Sequence, residues 1–108
     1  MQTFQSPGGY LAMNPFNIKI TNTGKNFTLT VLPSENGYYK VIYYAGVLTA
    51  VQKTRKGDWK LVAKDEIEAG DLPFYLQSND GDRLEPSLDK TFANAVGSAI
   101  ELELSQKD

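Results

Sequence analysis

The chain of 108 residues contains neither cysteine nor histidine. Without cysteine there are no disulfides, thiolate metal sites or cysteine nucleophiles. Without histidine the usual general base of neutral-pH catalysis is missing, and a zinc site would have to be built from carboxylates. Both absences weigh heavily against hydrolytic triads and most metalloenzymes, and no cofactor is expected. Residues 1–15 carry no charged side chain, so the positive n-region of a secretory leader is absent there. No apolar run approaches the roughly 18 residues of a membrane span. These features predict a cytoplasmic protein with no membrane partner.

What is present describes an ordinary folded domain. With 41% hydrophobic and 22% charged residues the chain has enough apolar content to offset the entropy of ordering. Its length suits one domain and one hydrophobic core. The charges, however, are sorted. Between Phe16 and Val62 seven basic residues face only Glu35 and Asp58, whereas from Ala63 onward eleven acidic residues face Lys64, Arg83, Lys90 and Lys107. Such a division points to an anionic partner for the first half, or to pairing of the two halves within the fold.

Periodicity predicts the architecture. Residues 1–15, rich in Gln, Ser, Pro, Gly and Asn, read as a loosely docked N-terminal arm preceding one domain over 16–108. Phe16, Ile18 and Ile20 alternate with polar residues, as do Phe27, Leu29 and Val31, which is the period of half-buried strands. Asn22-Thr23-Gly24-Lys25 joins these two strands, and an Asn36-Gly37 turn follows the second. The β-branched and aromatic segments 38–44 and 47–53 predict a tight hairpin across Ala45-Gly46, and Trp59, Leu61 and Ala63 a shorter fifth strand. Lys64 to Gly70 reads as a helical turn ending at Gly70, and 74–76 as a short apolar patch. After a polar loop, Leu88, Phe92, Ala95, Val96, Ala99 and Leu102 recur at helical spacing, with Ser87 as N-cap. Gly97, in mid-helix, costs about 1 kcal/mol relative to alanine unless it admits a close neighbour, and close packing on the sheet is the expectation. The predicted class is α+β: an antiparallel meander of four or five strands packed against one C-terminal helix. Phe92, Val96 and Ala99 are expected to meet core residues drawn from Phe27, Leu29, Val41, Tyr43 and Trp59.

Both faces of the 38–53 hairpin are apolar. Pairing across Ala45-Gly46 sets Tyr39, Val41 and Tyr43 with Leu48 and Ala50, and Tyr38, Ile42 and Tyr44 with Val47, Thr49 and Val51. One helix covers one face, so the other wants a cover. The N-terminal arm, the 71–76 segment, strong curl of the sheet, and a partner surface on a second copy of the chain, a different protein or a nucleic acid are the alternatives. Lys53, Arg55, Lys56 and Trp59 also form the basic and aromatic mixture by which single-stranded nucleic acid is held, and Tyr38, Lys40 and Tyr44 would extend that surface. The plainer account makes the basic residues a solvated hairpin tip and Trp59 core. A meander closed by one helix is also the element order of several single-strand binders, an architectural parallel that establishes no function. Asp80-Gly81-Asp82 with Glu85 is too sparse for a calcium loop, and Asp65, Glu66 and Glu68 have no evident cause for raised pKa values. The sequence therefore reads as a non-enzymatic binding module for another protein or a second copy of itself, with single-stranded nucleic acid as the alternative partner.

Overall fold

A computed structural model describes residues 14–76 and 86–105. Five strands form one antiparallel sheet in chain order: β1 (Phe16–Asn22), β2 (Lys25–Pro33), β3 (Tyr39–Tyr43), β4 (Gly46–Lys53) and β5 (Trp59–Leu61). One helix, α1 (Lys90–Ser105), follows a 3-10 turn at Lys64–Glu66. The α+β meander with a C-terminal helix is thus present. Residues 1–13 of the proposed arm and the Asp80–Glu85 loop lie outside the described residues.

β1 and β2 are joined by Thr23 and Gly24, both at positive φ (53° and 77°), the two-residue turn whose twist matches the flanking strands. Strict pairing from Asn22↔Lys25 to Phe16↔Val31 keeps Ile18, Ile20, Phe27, Leu29 and Val31 on one buried face. The next hairpin differs from expectation. Its turn is Tyr44-Ala45, at φ 48° and 63°, so that Tyr43 pairs with Gly46 and Ile42 with Val47. A bulge at Val41/Ile42 then brings Tyr39 opposite Val51. Val51 consequently joins the helix-side core and Ala50 the opposite face, the reverse of the expected assignment, while Leu48 remains on the helix side.

The helix packs against both edge strands, β1 and β5, and against β4, so it bridges the ends of the curled sheet. Phe92, Ala93, Val96 and Ile100 are fully buried, and Gly97 is buried with them. Leu102, expected on this face, is exposed. The N-cap is Asp89 rather than Ser87: its carboxylate accepts the Phe92 N–H (2.9 Å) and its carbonyl the Ala93 N–H (3.0 Å). Ser87 instead donates its N–H to the buried Asn22 side chain at the end of β1 (2.8 Å). Gly97 faces Trp59, and a Cβ there would overlap the indole, so the expected close packing is real.

The second apolar face is covered by the chain itself. Ile67 joins Tyr38, Val47 and Ala50 in a separate buried cluster, with Val62, Ala69, Leu72 and Phe74 against it. Residues 73–75 then run beside β4: Val47 donates to the Pro73 carbonyl (2.8 Å) and Tyr75 to the Val47 carbonyl (2.9 Å). Gly46 permits this approach, since a Cβ would lie 2.8 Å from the Tyr75 Cα. Gly70 does not cap the 3-10 turn, which Ile67 closes. Of the covers considered, an intramolecular one, extending from Ile67 to Phe74, is realised, so this face supplies no reason for a second copy.

Candidate interaction surface

The seven residues singled out by sequence are distributed over both ends and both faces of the sheet. Tyr38 is buried on the second face. Its hydroxyl oxygen accepts the Glu68 N–H (2.8 Å) and an Asn36 side-chain N–H (3.3 Å), pinning the 64–70 crossover to β3. Burial pushes the phenol up, but the donors Glu68, Asn36 and Ser34 outweigh it and leave it below its ordinary value. Lys40 is half-buried and donates to the Glu68 carbonyl (3.0 Å).

Lys53, Arg55, Lys56 and Trp59 lie at the β4–β5 turn, the end of β4 opposite Tyr44. Lys53 pairs with Glu101 of α1 at 2.8 Å. Trp59 is 5% exposed, its indole N–H donates to Glu101 (3.1 Å), and its backbone N–H is taken by Asn94 (3.1 Å). It is a seam between sheet and helix, with its ring 5.8 Å from Tyr39, and presents no face on which a base could stack. Arg55 and Lys56 are exposed. Asp58 receives the Thr54 hydroxyl and pairs with Lys90 at 3.4 Å, so contacts run both ways between the two charge halves. The Thr54 hydroxyl holds the Asp58 carboxyl below the usual range, and Lys53 does the same for Glu101. Part of the charge sorting is therefore spent on fastening the helix to the sheet.

Tyr44 stands apart. It is 60% exposed at the β3–β4 turn, in the left-handed backbone region that glycine and asparagine occupy most readily. Tyr43 lies behind it at 4.7 Å between ring centroids, and packs in turn on Tyr75 (5.2 Å) and Phe27 (5.9 Å). Leu76, next to Tyr75, is 79% exposed. This aromatic tip unites Tyr44 with Tyr75 and Leu76. The apolar patch at 74–76 was visible in the sequence, but its location was not, because only the non-local bridge between Val47 and Phe74 carries it there.

Comparisons with known protein families, with curated proteins and with solved structures find no match to this chain.

Proposed function

We propose that the chain is a small non-enzymatic binding module that engages protein, with a second copy of itself as the first partner to test, through the aromatic tip of Tyr44, Tyr75 and Leu76. The observation that carries this reading is the conformation of Tyr44. A bulky exposed residue in left-handed backbone costs about 1 kcal/mol relative to asparagine or glycine, and Ala45 adds a comparable strain. Strain held at an exposed aromatic residue is a mark of use, and tyrosine beside an exposed leucine suits a protein contact, combining apolar area with a polar edge.

The test replaces Tyr44 by Asn and Ala45 by Gly, the pair this turn prefers. The expected result is a more stable chain, by about 1–2 kcal/mol, that no longer associates in a sedimentation series in which the native chain forms dimers. A native chain that stays monomeric at every concentration, or dimers that survive the double substitution, would overturn the reading. The nucleic-acid alternative retains Arg55 and Lys56, but it has lost Trp59 as a stacking group.

A further inference from the structure

The two sheet edges are treated differently. The outer side of β4 is filled by β5, by Val62, whose N–H meets the Ala50 carbonyl (2.9 Å), and by residues 73–75. β5 is three residues long and its Trp59 N–H is capped by Asn94. β1, seven residues long, pairs with β2 alone among the described residues. Its two-residue turn makes Asn22↔Lys25 a hydrogen-bonded pair, and alternation then directs the backbone groups of Ile20, Ile18 and Phe16 toward β2. The N–H and C=O groups of Asn17, Lys19 and Thr21 consequently point away from the sheet. Among the described residues no backbone partner meets them. The side chains of all three are exposed.

We infer that the β1 edge accepts an extended strand of another protein in which acidic residues alternate with apolar ones. Charge decides the occupant. β1 and β2 contain Lys19 and Lys25 and no acidic residue. A second copy pairing antiparallel through all three outward positions would set Lys19 against Lys19, and like charges directly opposite oppose pairing. An acidic residue at that position is attracted instead. The apolar requirement comes from the helix. Lys90, Asn94, Gly97 and Glu101 form its flank on the β5 side, where Asp58, Trp59 and Lys53 meet them. At about 3.6 residues per turn the opposite flank carries Ala95, Ala99 and Leu102. Leu102 is 61% exposed, and Ala95 and Ala99 are half-buried against the edge of the core. The incoming strand's alternate side chains, directed to the helix side of the sheet, would meet this flank. This surface is separate from the tyrosine tip and stands or falls independently of it.

Amide exchange and a peptide titration followed by NMR test the inference on the full chain. In the free protein the amides of Lys19 and Thr21 should exchange quickly and those of Ile18 and Ile20 slowly. Equal protection of all four would show that the edge is already filled, and would overturn the proposal. A peptide alternating valine and glutamate should then protect Asn17, Lys19 and Thr21, whereas its valine–lysine counterpart should not. Lys19→Pro removes one outward donor without touching the β1–β2 ladder, and should weaken binding about fivefold or more. Lys19→Glu keeps the backbone and should exchange the preference, binding the lysine peptide instead, which keeps the test decisive should the proline variant fail to fold. Absence of binding by the glutamate peptide, or binding indifferent to both substitutions, would refute the assignment.

Discussion

Gly97→Ala should destabilise this protein although it improves the intrinsic propensity of the helix. In an open helix the change would stabilise by about 1 kcal/mol. Here a Cβ at position 97 falls within the ring carbons Cγ, Cδ1 and Cδ2 of Trp59, and apolar carbons rest at about 3.5–4.0 Å, so helix and indole must separate by roughly 1 Å or more. Overpacking of this kind costs about 1–3 kcal/mol. The same separation stretches the Trp59–Asn94 and Trp59–Glu101 hydrogen bonds, each worth about 1 kcal/mol. The balance is a loss of about 2–3 kcal/mol, or a fall in Tm on the order of 10 °C for a domain of this size. Trp59 is the single tryptophan, so its fluorescence during urea or thermal unfolding reports on the contact itself. Pairing Gly97→Ala with Trp59→Leu should recover part of the loss, giving an interaction energy within the 0.5–3 kcal/mol range of touching residues (about the middle of it). A stability gain from Gly97→Ala alone would show that the helix does not lie against the indole.

Other outcomes follow from the same geometry. Phe92→Ala, at a fully buried position of α1, should cost about 3–5 kcal/mol in denaturant unfolding, whereas Leu102→Ala should cost little. Asp58 and Glu101 have folded pKa values held below their ordinary 3.8 and 4.5, so the stability they contribute is fully present above those values and is lost as pH falls through the lowered ones; Glu101→Gln should flatten the acid limb of a pH series of thermal melts. Tyr38→Phe should cost about 1–2 kcal/mol by leaving the Glu68 N–H without its acceptor. Because the Tyr38 phenol lies below its ordinary 10.0, its ionisation adds stability that is complete above that value and is lost as pH falls through the folded one; in an ultraviolet titration Tyr38→Phe should therefore remove a tyrosine step that lies below that ordinary value.

The parts of this fold that were legible in the sequence are those fixed by local chemistry. β1 and β2 alternate strictly and meet at a Thr-Gly turn, so period and turn type agree. The β3–β4 register was misread by one residue because turn preferences favour Ala45-Gly46, whereas the chain places Tyr44 and Ala45 at positive φ and leaves Gly46 to receive Tyr75. Ser87 and Asp89 are both good caps, and the choice between them rests on a bond from Ser87 to Asn22, 65 residues away. Gly97 announced a close approach, but not that Trp59 was the approaching group. That pairing decides whether Trp59 is a stacking surface or a seam. The cover over Tyr38 and Val47 comes from an irregular segment with no period to read.

The bridging of β1 and β5 by α1 also orders events during synthesis. Hairpins of the meander close over short loops and can form as soon as they are made. Their concave face, with Leu29, Val31, Val41 and Val51, has no lid until Phe92, Val96 and Ile100 have left the ribosome. The interval from Leu61 to Ser105 is about 44 residues, roughly 2–9 s at common elongation rates. For that time a nascent chain displays an apolar trough with an open strand edge at its rim, the state in which it is most exposed to aggregation and most in need of a chaperone.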